Sequence, residues 1–279
     1  MKLKRGALSL FNVIKSIFNQ TSKDVEDIVS NISEVHGSKS IKKANKSIFK
    51  NFTKLIKTYT SKKYNEIVYN KLAQPLQMIE SESTREFVKY VNKYVGVSFR
   101  KITKKENLND FMKAKTLENA SLIVGMTQEY IKKAQIIVTN GVNNGLLPSA
   151  IEKQLSENLP FVGKKRAKVI ARDQYAKING QVNKKRNEQL GIKLFKYVTA
   201  KDDRVSGKPS GKYPNAKIKC FVIANTDIGY GKGIYTWKKG ASFNGEDNLF
   251  PGCAHIGCRC SSISLIPNVN YDPVKKVMI

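Results

Sequence analysis

The feature that most constrains this chain is a change of hydrophobic period at Gly191. Before it, apolar residues recur every three or four positions; after it, Phe195 and Tyr197 alternate with Leu194, Lys196 and Val198. The first spacing belongs to amphipathic helices and the second to a half-buried strand. The expectation is therefore an α+β chain, with a long, mainly helical N-terminal region followed by a small C-terminal domain of short strands and loops.

Within the helical part, Leu8, Phe11, Ile14 and Phe18 predict one amphipathic helix, and Val25, Ile28, Ile32 and Val35 a second. His36 falls in a linker beside Gly37. A long helix is expected over 41–72, interrupted near Pro75 because proline lacks an amide donor and clashes with the preceding turn. Further helices are predicted at 83–95, 108–114 and 117–143, and a short one opens at Pro148. A basic helix over 163–190 is stopped by Gly191. The stretch 95–102 fits a short strand or a loop. Beyond Gly191, apolar runs at 193–199, 217–224 and 233–238 are read together as the strand-bearing segments.

Three of the four cysteines and one of the two histidines fall within Cys253–Cys260, as Cys253, His255, Cys258 and Cys260, with Cys220 upstream. Soft thiolate and imidazole donors suit zinc, for which four protein ligands make a closed structural site. The spacing C-x-H-x2-C-x-C lacks paired C-x2-C arms, so structural zinc, reduced structural thiols and a disulfide all remain open. No cofactor is required by the pattern.

Lysine and arginine number 50 against 22 aspartates and glutamates, leaving a formal charge of +28. That excess runs through both halves of the chain and suits a polyanion such as double-stranded DNA. Few arginines and no aromatic-interleaved basic stripe argue against base reading. No apolar run reaches the roughly 18 residues of a membrane span, so no membrane partner is expected. Glycines 229, 231, 233 and 240 lack the spacing of a phosphate loop. Asp202, Asp203, Asp227, Glu246 and Asp247 stand in turn-like segments without the strand-anchored spacing of a two-metal nuclease.

Several pieces then occur in a telling order: Gly145 to Ile151; Ile170, Ala171 and Arg172; Asn179; Gly191 entering a strand; Asp202, Asp203, Arg204 and Val205; and finally Pro251, Gly252 and Cys258-Arg259-Cys260. This order resembles the minor head proteins of tailed phages, the Mu protein F and SPP1 gene-seven head morphogenesis family. The resemblance covers about residues 115–262, leaving a helical region at 1–114, expected to contact portal or capsid, and a tail at 263–279. It implies a non-enzymatic virion component near the portal vertex, assembled in the host cytoplasm. Its implied partners are the portal protein, then major capsid or scaffolding protein. Arg172, Asn179, Asp203, Arg204, Pro251, Gly252 and Arg259 would be its structural motif, with Arg172 expected to pair with Asp202 or Asp203.

The chain departs from the family pattern in three places, one of them a 206–250 segment longer than in compact members. Asp173 stands where threonine is usual, and Ser206-Gly207-Lys208-Pro209 stands where a histidine or cysteine often follows the turn. Cys220 is the candidate to supply that ligand from another loop. The rival readings are a DNA-binding or DNA-ejection protein and, more remotely, a metal-dependent nuclease.

Overall fold

A computed structural model of the chain describes residues 3–32, 38–95, 108–159 and 164–279. His36 and most of the 95–102 segment lie outside the described residues. Among the described residues six helices come first: α1 (Arg5–Ser30), α2 (Ser38–Thr60), α3 (Lys62–Val95), α4 (Asn109–Asn143), α5 (Pro148–Asn158) and α6 (Lys164–Gln189). The strand-and-loop part follows, with β1 (Leu194–Val198), a one-turn α7 (Cys220–Ile223), β2 (Ile234–Thr236), β3 (Ala241–Phe243), β4 (Glu246–Leu249), β5 (Ser261–Leu265), β6 (Tyr271–Asp272) and β7 (Val277–Met278). The fold is α+β, helical first and strand-bearing last.

Several helix boundaries differ from the sequence expectation, and the helices expected at 108–114 and 117–143 run together as α4. The first two amphipathic patterns join as α1, which buries Leu10, Phe11, Ile14, Phe18, Val25 and Val29 and leaves Leu8 47% exposed. The helix expected over 41–72 breaks at Ser61, whose hydroxyl accepts from the Tyr64 amide and caps α3. Pro75 does not interrupt α3. A proline inside a helix costs about 3 kcal/mol, whereas burial of each of Leu72, Leu76 and Ile79, all 0% exposed, contributes about 1.5–3 kcal/mol. Packing therefore carries the helix through.

The chain divides into two compact units of interleaved segments. The first, Met1–Leu76 with Lys113–Ala171, packs α1 against α2 and α5. Polar ties sit at the margins of its apolar stripes: Tyr59 donates to Asp24 at 2.6 Å, and the Asn45 amide to Asn143 at 2.6 Å.

The second unit, Gln77–Met112 with Arg172–Ile279, holds an antiparallel sheet in the order β2-β1-β5 and two hairpins, β3-β4 and β6-β7. Phe195 and Tyr197 of β1 point inward, into a ring cluster with Tyr235, Trp237 and Phe250; Phe195 and Trp237 centroids lie 4.4 Å apart. Within this unit the fully buried Arg186 of α6 donates to Thr84 at 2.6 Å and lies 3.5 Å from Glu80, both on α3. The apolar run at 217–224 forms α7 rather than a strand, because its buried members, Cys220 and Ile223, are spaced for one helical turn.

Candidate metal centre

The loop that carries the cysteine cluster is held against α6 by close backbone approach. A side chain at Gly252 would begin 2.5 Å from the Ala176 carbonyl oxygen, and one at Gly180 would begin 2.5 Å from that of Pro251. Gly252 also has φ +81°, a left-handed conformation that other residues rarely adopt. One turn earlier on α6, Asp173 accepts from the Gly257 amide at 2.6 Å and pairs with Lys177 at 2.7 Å. The Pro251-Gly252 pair thus sets the loop's entry, and Asp173 pins its far side.

On this frame the Sγ atoms of Cys220 and Cys258 and a ring nitrogen of His255 come within 4.8 Å of one another. The two sulfurs are 4.0 Å apart, and both cysteines are 1% exposed. Cys260, two residues beyond Cys258, is partly buried and packs against the same core cluster as Cys220 and Cys258. The Tyr197 hydroxyl lies 3.2 Å from the Cys220 sulfur. The Ser206 hydroxyl accepts from the Cys220 amide at 3.1 Å and sits 3.3 Å from His255 Nε2. His255 Nδ1 is 2.9 Å from the Ile256 carbonyl oxygen. A carbonyl only accepts, so Nδ1 carries a proton there, and Nε2 is the ring nitrogen left to face the cluster.

The electrostatics show how the groups bear on one another. Hydrogen bonds to Cys220 and then Cys258 raise the His255 pKa to about 11, by favouring the charged ring. Cys258 is drawn below the ordinary thiol range, first by Cys220 and then by Cys260, while Cys220 and then Cys258 push Cys260 up. Sulfurs this close cannot all ionise together unless a cation joins them. The donors present, thiol sulfur and imidazole nitrogen, are those that hold zinc.

Other sequence-singled residues lie elsewhere. The Cys253 thiol faces the Lys177 carbonyl oxygen at 3.5 Å. The expected pairing of Arg172 with Asp202 or Asp203 is not made. Arg259 takes Asp202 through both terminal nitrogens, at 2.5 and 2.6 Å, because it emerges from the cluster loop directly opposite that turn. This fork draws the Asp202 carboxyl well below its usual range, helped by the Arg204 amide at 3.0 Å. Asp203 reaches Lys212 at 3.6 Å. Arg172 instead lines a cleft of about 840 Å³ with Arg204, Lys212, His255 and Arg259. The Asn179 side-chain oxygen is buried with no hydrogen-bond partner among the described residues. Tyr197 carries no motif signal, and Asp173 and Ser206 stand out in the sequence only as departures from a family pattern; the fold shows that all three support the cluster.

A family model described as Phage Mu protein F like protein matches residues 132–263, which include Cys220 and the whole Cys253–Cys260 loop. An uncharacterized protein of Haemophilus influenzae (strain Rd) is 32% identical over 102 residues, 36% of this chain and 22% of that protein's length. The chain therefore matches less than a quarter of that relative. No solved structure matches the chain.

Proposed function

We propose, from the premise that residues 132–263 are a Phage Mu protein F like domain, that this chain is a minor head component of a tailed phage or prophage. In this reading it binds the portal protein during head assembly, lies beside packaged DNA near the portal vertex and performs no catalysis. The family match is the observation that carries the reading. Contact with DNA draws further support from charge.

Helix α2 bears no acidic residue, and its Lys43, Lys46, Lys50, Lys54 and Lys57 recur every three or four positions, all exposed. That spacing sets them along one face as a ridge about 20 Å long. A ridge of flexible ammonium groups suits backbone phosphates and carries no means of reading bases. The cleft that holds Arg172, Arg204 and Arg259 adds a second concentration of positive charge.

The deciding experiment is capture of the chain by its cognate portal at low and high salt, with and without DNA. Retention at high salt without DNA is the expected result. Binding that requires DNA would instead favour a DNA-binding or ejection role. For the ridge, changing the five lysines to glutamine should flatten the dependence of DNA affinity on salt, by about 0.9 in log–log slope for each phosphate no longer neutralised. An unchanged slope would remove α2 from the DNA interface.

A further inference from the structure

We propose that Cys220, His255, Cys258 and Cys260 bind a single zinc ion through three sulfurs and Nε2, in a closed site that holds the strand-and-loop segment together. The inference goes beyond the virion role and does not depend on it.

The geometry is close to what the metal needs. Zinc–sulfur bonds of about 2.3 Å in a tetrahedron place two sulfurs roughly 3.8 Å apart; those of Cys220 and Cys258 are 4.0 Å apart, with no disulfide between them. Nδ1 of His255 is committed to a carbonyl, which turns the ring and leaves Nε2 as the donor. That arrangement is the usual outer support of a metal-bound histidine. Tyr197 gives the Cys220 sulfur an outer hydrogen-bond partner, and Ser206 holds the Cys220 amide.

The fourth cysteine gives the contrast. Cys253, in the same loop and only partly buried, turns its thiol to the Lys177 carbonyl oxygen. Cys220 and Cys258 turn to one another and to an imidazole, with Cys260 packed against the same cluster of aromatic and aliphatic side chains. Hard cations prefer oxygen donors, and these four donors contain none. With four protein ligands there is no vacant position for water or substrate, so the role is structural. The ion would tie α7 to the loop before β5, closing 38 residues of chain that include β2, β3 and β4.

The test is the metal content of the full-length chain, purified without chelator from zinc-supplemented medium, together with its visible spectrum after replacement by cobalt(II). The expected result is one zinc per chain and the intense bands of tetrahedral, thiolate-bound cobalt. Cys253→Ser should retain both. Cys260→Ser should lower zinc affinity by at least about tenfold, and Tyr197→Phe by about tenfold, the lower end of what outer-shell losses cost.

A folded wild-type chain without zinc, or with a Cys220–Cys258 disulfide, would overturn the proposal. So would a Cys260→Ser protein with unchanged affinity and cobalt spectrum. Should Cys260→Ser fail to fold, the wild-type chain decides: chelator-driven zinc release should lower its melting temperature, and an unchanged melting temperature would refute the structural role.

Discussion

The two units reach stability by different routes. In the first, α1 alone buries Leu10, Ile14, Phe18, Val25 and Val29, so its contribution is spread over many apolar contacts of one kind. In the second, the long stretch from 199 to 260 has only one helical turn and three short strands. It is held by a ring cluster and by a few specific links: Asp173 to Gly257, Asp202 to Arg259, Ser206 to Cys220, and the thiol–imidazole group. Distributed burial tolerates change by degrees, whereas a loop fixed at few points is sensitive wherever one of them is removed. The candidate site sits in the second kind of region, where geometry rather than apolar area specifies the fold.

Substitutions can break that contrast. Phe18→Ala should destabilise by about 3–5 kcal/mol, the ordinary cost of emptying a buried phenylalanine site, measured by urea unfolding followed by circular dichroism. Gly252→Ala adds only a methyl group, yet it combines a left-handed backbone with a contact 2.5 Å from the Ala176 carbonyl. It should destabilise by about 2–4 kcal/mol, from strain and overpacking together. Trp237, the sole tryptophan and part of the ring cluster, reports that change by its emission. A loss below about 1 kcal/mol would mean that the loop adapts readily and is not fixed at few points. Asp173→Ala should follow at about 1–3 kcal/mol, since it strands the Gly257 amide in a part-buried site.

Much of this arrangement was legible in the sequence, and the remainder was not for identifiable reasons. The change of period at Gly191 marks the start of the strand-bearing part because periodicity follows directly from which face is buried. The Cys/His cluster is legible because those residue types are rare here. The helical run through Pro75 was not, since local propensity argues against it and only burial of Leu72, Leu76 and Ile79 overrides it. The β3-β4 hairpin has one clear local signal, Asn244-Gly245, with φ of +52° and +76°. That pair is the strongest short-range mark of a two-residue hairpin turn, but Glu246 and Asp247 give the flanking strand no apolar alternation. Arg172 attracts notice as part of the family motif, yet Arg259 takes the carboxylate. Choosing between two arginines for Asp202 requires knowing where the cluster loop emerges, and no spacing encodes that.

The smallest expected effect concerns that same ion pair and sharpens the contrast from its weak end. Asp202 remains about one-third exposed, so its fork with Arg259 contributes under about 1 kcal/mol despite good geometry. Because folding depresses the carboxyl pKa, the contribution is complete above the unfolded value of about 3.9 and is lost as pH falls below it. Asp202→Asn should therefore be slightly less stable than wild type at pH 6, and the gap should narrow below about pH 4. Urea unfolding of both proteins across that range, read by Trp237 emission, makes the comparison. A gap that stays constant with pH would show that Asp202 acts through the shape of its turn, held by the bond from the Arg204 amide, rather than through its charge. In that case even the exposed part of the loop would be fixed by geometry.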